Sequence, residues 1–218
     1  MSPIVSRYWM RRALRLLLLC VLALLICATA YGLTPPPDFR HRLSMGTAYA
    51  ALCFLAASLL LGPWNVLRRQ PTPVSYDVRR DVGIIGGTLA LVHTGVGLTV
   101  HLRGRMWMYF FSKLHPVRAQ ASAFGAANYT GLIAAALFAI LLAISNDWSL
   151  RALGTARWKS IQRWSYAAFV LTLAHGILFQ YVEKRHLPWV AFFAAAAMAT
   201  IVVQCVGYLR RRRYARSR

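Results

Sequence analysis

Apolar residues gather into six runs of roughly 20 residues, each bounded by arginines, lysines or turn-forming residues. The runs cover Leu14 to Tyr31, Ser44 to Gly62, Val82 to Leu102, Phe124 to Ser145, Trp164 to Val182 and Pro188 to Leu209. About 20 apolar residues are what a helix needs to cross the hydrocarbon core of a bilayer. The pattern therefore predicts an all-α integral membrane protein, with six transmembrane helices in a bundle. Thr34-Pro35-Pro36-Pro37-Asp38 cannot continue a helix and predicts a short outer turn. Gly62-Pro63-Trp64 predicts the end of the second span, and Asn65 to Asp81, with Pro71 and Pro73, a loop. Arg151, Arg157, Lys159 and Arg163 fall in a second basic loop before the fifth span. The chain divides into a basic segment with the first span and its outer turn (1–43), a helical domain (44–209) and a basic tail (210–218). The first run is followed by Ala28-Thr29-Ala30, a pattern like a signal-peptidase site, and cleavage there would leave five spans. No internal repeat and no GxGxxG after a strand is visible.

Composition excludes an ordinary soluble domain, because 58% of the residues are hydrophobic, only 14% are charged and the mean hydropathy is +0.48. A formal net charge of +21 would point to nucleic acid in a soluble protein. Here the distribution of charge gives a different answer. Of the 26 lysines and arginines, 18 fall on the side of the amino end, the second loop, the fourth loop and the tail, against 8 on the other. The positive-inside bias then places both termini in the cytoplasm of a multi-pass protein of a bacterial-type inner membrane. The excess charge meets anionic lipids, and no nucleic-acid partner is expected. Cys20, Cys27, Cys53 and Cys205 all sit in apolar runs without CxxC spacing, so they read as packing residues.

Two runs carry a histidine at matched depth: His93 lies 13 residues after Arg80, and His175 lies 12 after Arg163. If both helices run the same way, the imidazoles lie level, as two axial ligands of one heme must. A histidine inside a span is costly unless satisfied, which makes it a functional candidate. The simpler reading is two separate imidazoles hydrogen-bonded to helix carbonyls, or to hydroxyls such as Thr94 and Thr172. Gly86, Ala90, His93, Gly97 and His101 share one helical face. Its small residues suit either close helix packing or a flat macrocycle lying on the backbone, with Gly86 and Gly97 as its contacts. Asp38, Asp77, Asp81, Asp147 and Glu183 all fall in loops or at span ends. That argues against a proton- or cation-coupled transporter. His101 and His186 lie about 12 and 16 Å further along their helices at 1.5 Å per residue, and so are poorly matched. His41, His115 and His186 show no metal-ligand spacing. Trp107, Tyr109, Phe110 and Phe111 in the outer loop predict an interfacial belt or a re-entrant half-helix.

Arg79-Arg80-Asp81-Val82-Gly83-Ile84 followed by His93 resembles the RR-x-LG motif and downstream histidine of the ferric reductase-like transmembrane domain. Leu153-Gly154, Trp158-Lys159, Ile161 to Tyr166 and then His175 are similar to that family's second motif. Asn128-Tyr129-Thr130-Gly131 and Ser145 around span four are similar too. The family includes ferric reductases, NADPH oxidases and the membrane heme subunit of bacterial periplasmic methionine sulfoxide reductase systems. The resemblance spans about residues 45 to 208 and implies heme b and transmembrane electron transfer. Two-heme members carry a further histidine where this chain has Gln162. The resemblance thus implies one heme b, with His93 and His175 as its iron ligands. Heme propionates need cationic donors, and Arg103, Arg105, Lys184 and Arg185 are the outer candidates. The expected activity is single-electron transfer from a separate flavoprotein or quinol to a periplasmic acceptor protein or ferric iron. The competing expectations are a cofactor-free structural or assembly subunit and, behind it, a small transporter.

Overall fold

The computed structural model describes residues 3–35, 38–68, 76–112 and 117–216. Among them the chain is helical, and the only extended pairing is an isolated bridge between Phe111 and Ala119. The helices are α1 (Pro3–Leu33), α2 (Phe39–Leu67), α3 (Tyr76–Gly97), α4 (Ala123–Ala143), α5 (Asp147–Gln162), α6 (Trp164–Val182) and α7 (Leu187–Arg216), with two short 3-10 turns between α3 and α4. Pro36, Pro37, Arg69, Pro71, Pro73, Lys113, His115-Pro116 and Arg218, which figure in the expectations above, lie outside the described residues.

Five stretches are long and apolar enough to cross a membrane: α1 from Arg7, α2, α4, the continuous Asp147–Val182 and α7 to Arg213. Leucines and isoleucines of α1, α4, α6 and α7 lie exposed on the outside of the bundle, as in a multi-pass membrane protein. The predicted third span, Val82 to Leu102, is not among the five. Its helix α3 starts earlier, at Tyr76, so that Asp77, Arg79, Arg80 and Asp81 lie within it, and it stops at Gly97. Glycines lower the hydropathy of the rest. The second span differs as well, because α2 continues through Pro63 to Leu67. The basic stretch read as a loop between the fourth and fifth spans is helix α5. Asn146 caps it by accepting from the Ser149 N–H at 2.7 Å. Gly154, at φ 72°, breaks it midway.

At the centre of the bundle is α2, which carries buried Tyr49, Leu52, Leu55 and Leu59. These pack with Ala134, Phe138 and Leu141 of α4, Ala168 and Phe169 of α6, and Phe193 of α7. Asp81, within α3, is completely buried. Arg12 reaches it at 3.1 Å, while Arg15 closes a fork on its Oδ2 at 2.9 and 2.5 Å. These contacts tie the peripheral helix α1 to α3.

Passage of α2 through Pro63 is explained by a neighbour. Proline has no N–H for the carbonyl four residues back, which here is Leu59. Gln204 of α7 donates to that carbonyl from Nε2 at 2.6 Å. Gln204→Leu is expected to cost about 1 kcal/mol, since a polar group in the membrane then lacks its donor. Combining it with Pro63→Ala restores a backbone donor. Thermal denaturation in detergent is expected to show the double variant more stable than the sum of the single changes allows.

Candidate functional site

His93 and His175 come together between α3 and α6, with ring centres 6.0 Å apart and planes inclined at 76°. Both rings are half-buried and line one cavity of about 160 Å³. Nδ1 of His93 lies 3.0 Å from the Ser44 carbonyl oxygen and 3.3 Å from its hydroxyl. Nδ1 of His175 lies 2.8 Å from the carbonyl oxygen of Ala127 on α4. A carbonyl only accepts, so each Nδ1 must carry the proton, and in a neutral ring each Nε2 is left with a free lone pair. Among the described residues neither Nε2 has a hydrogen-bond partner. Imidazoles on helix carbonyls are what the simpler reading of two separate buried rings expects, and the same contact orients the ring of a metal-bound histidine. Metal–nitrogen bonds of about 2 Å on either side of an ion, plus the ring radii, would place two such ring centres about 6 Å apart.

Gly131 allows His175 to lie directly against α4. A Cβ at this position would stand 2.5 Å from the ring's Nδ1, so no side chain fits without moving the imidazole. Gly97 also lines the cavity, and a Cβ there would lie 3.9 Å from Cε1 of His93. Gly86 does not line it. A Cβ there would meet Phe54 and the Leu55 backbone of α2 at 3.1 Å, so this glycine serves helix packing rather than a macrocycle. Ala48, Ala90, Ala134 and Ala135 supply further small side chains around the two rings.

The outer mouth of the cavity gathers His41, His101, Glu183 and Arg185. Glu183 accepts from His101 Nε2 at 3.0 Å and pairs with Arg185 at 2.6 Å. Burial acts to raise its carboxyl, but the His101 hydrogen bond and the Arg185 charge outweigh this and hold it below the usual carboxylate range. A left-handed turn at Lys184, φ 47°, ends α6 and lets the Arg185 N–H return to the Gln180 carbonyl at 3.2 Å. Of the four proposed propionate partners, only Arg185 lines the cavity, where it also contacts Met45 Sδ. Arg103, Arg105 and Lys184 do not line it. His101 joins this cavity because the chain leaves the helix axis after Gly97, while His186 does not join it. Tyr109 of the aromatic loop is a buried plug. Its hydroxyl accepts from the His101 N–H at 2.7 Å and shares its one proton between the carbonyls of Gly97 and His101, at 3.1 and 3.2 Å, which fixes the end of α3.

A second and larger cavity, about 860 Å³, lies toward the other end of the bundle. Arg79, Arg80 and Gln162 line it, and Gln162 donates to the Ser145 hydroxyl at 3.2 Å. Leu55 and Phe138 line both cavities and form the wall between them. Among the described residues no group of three or more histidine, cysteine or carboxylate side chains is placed to hold a metal ion. No family model and no curated protein matches the chain. The likeness to the ferric reductase-like domain rests on its motif residues alone.

Proposed function

We propose that this protein is a b-type cytochrome of a bacterial-type inner membrane, holding one heme b between His93 and His175. The observation that carries this reading is the paired imidazoles, 6.0 Å apart, with each Nδ1 on a backbone carbonyl and each Nε2 free. The residues around them are small, but a cavity of about 160 Å³ is the size that takes a benzene ring, so a macrocycle would enter only as the helices around the pair move apart; Arg185 is the cation that lines it. Heme bound here would supply a one-electron carrier with both axial positions filled, which suits electron transfer rather than oxygen activation. The chain's own part is to orient the imidazoles through Ser44 and Ala127 and to exclude water with the α2, α4 and α6 side chains.

In this reading α3 crosses the membrane as a sixth span. At 1.5 Å per residue its 22 residues reach about 33 Å, and it packs between α2 and α4. Both termini then face the cytoplasm, in keeping with the charge distribution. The donor is a separate flavoprotein or a membrane quinol, and the acceptor is a periplasmic protein or ferric iron. Asp81 is the fully buried carboxylate among the described residues. It lines neither cavity and is neutralised by Arg12 and Arg15, so it offers no ion path. Absorbance of the protein purified from heme-replete cells tests the proposal. A reducible low-spin heme spectrum at one heme per chain is expected. A colourless preparation that denatures cooperatively would favour a cofactor-free structural subunit.

A further inference from the structure

The larger cavity is lined by side chains from α2 through α7 and opens where Lys159, Arg163 and Arg211 are exposed, and its charge is one-sided. Arg79, Arg80, Lys159, Arg163 and Arg211 line it, and no carboxylate does. Asp147 pairs with Arg80 at 2.6 Å from outside the lining, and Asp81, next in sequence, is turned to Arg12 and Arg15. Its deeper wall is apolar, formed by Leu55, Leu59, Phe138, Leu141 and Phe169.

Orientation in the membrane does not require arginines to converge on one cavity. Other arginines, at the end of α2 and in α7, are engaged with rings or carbonyls outside its lining. Arg68 lies over the Trp64 ring at 4.8 Å, Arg212 lies over Tyr208 at 5.0 Å, and Arg210 donates to the Leu67 carbonyl at 2.9 Å. Half-buried Arg79 and the exposed Arg163 and Arg211 instead converge on one cavity with no carboxylate in its lining, so their like charges repel. An anion placed among them removes that repulsion, and guanidinium forks match phosphate oxygens in pairs.

We propose that this inner cavity is a binding site for a phosphate-headed amphiphile, with the phosphate held by Arg79, Arg163 and Arg211 and the apolar part against Leu59, Leu141 and Phe169. Two sources share that chemistry: an anionic membrane lipid and a soluble phosphate compound. The site does not depend on heme at the other cavity.

Native mass spectrometry of the detergent-solubilised full chain tests it, with phosphatidylglycerol in one arm and inorganic phosphate in the other. One phosphatidylglycerol adduct per chain is expected. In Arg79→Gln/Arg163→Gln it is expected to weaken at least about tenfold, the loss that one charge-assisted contact entails. The pair Arg68→Gln/Arg212→Gln, outside the cavity lining, is expected to retain it. If the cavity-lining pair fails to fold, Arg211→Gln, at an exposed position of α7, gives the same reading alone. An adduct displaced by millimolar phosphate assigns the site to soluble phosphate compounds, and one that resists it assigns the site to lipid. No adduct in either arm, or an equal loss in the two pairs, overturns the proposal.

Discussion

Purified from heme-replete cells, His93→Ala and His175→Ala are each expected to be colourless, while the wild-type protein shows a low-spin heme spectrum. On the proposed reading both positions fail, because the two imidazoles would hold one iron between them. The expectation separates ligand from packing residue. If the rings only satisfied Ser44 and Ala127, their removal would lower stability and leave the absorbance of every sample the same. His175→Ala carries a built-in control in Gly131, since Gly131→Val keeps the imidazole yet displaces it from α4. That variant is expected to lose most of its heme as well. Outer partners of metal-bound histidine commonly govern affinity by 10- to 100-fold. A wild-type spectrum in both alanine variants would refute the ligand assignment.

The second large effect is expected in Arg12→Ala/Arg15→Ala, at residues that line neither cavity. Asp81 is 0% exposed, whereas the side chains of Arg12 and Arg15 are 13% and 27% exposed. Removing the cations strands a buried carboxylate, which costs about 3–5 kcal/mol when a buried pair is broken. The partial exposure of Arg15 places the effect toward the lower end of that range. Thermal denaturation in detergent is expected to show a large loss for the double variant. The triple variant with Asp81→Leu should recover most of it, because no charge is then buried. An unchanged melting curve in the double variant would show that water reaches Asp81. The same contacts bear on Ala28-Thr29-Ala30. Cutting there would take both arginines away from Asp81, so the purified chain is expected to retain α1 when its mass is measured.

Much of the helical order could be read from periodicity, since apolar runs long enough to span a membrane have few alternatives. Trp164 to Val182 is reproduced residue for residue in α6, and His93 and His175 do meet. What the sequence hid has physical causes. Helix α5 is polar and broken at Gly154, so no apolar stripe announces it. Pro63 looked like a stop because its compensation comes from Gln204, 141 residues away in the sequence. The acceptors of the two imidazoles are the backbone carbonyls of Ser44 and Ala127, which leave no mark in residue type. Gly86 and Gly97 lie on one face of α3, and only the approach of Phe54 and Leu55 from α2 separates packing from cavity lining. Asp81 looked like a span-end charge because the arginines that bury it lie 69 and 66 residues earlier.

Arg12, Arg15 and Asp81 also bear on biogenesis. During synthesis α1 emerges first and leaves its two guanidinium groups near one membrane surface. When α3 follows, joining them lets its carboxylate leave water while still charged, which favours docking of α3 on α1. On that account the amino-terminal helix, which lines neither cavity, would serve as an assembly partner within the chain for the helix that carries His93.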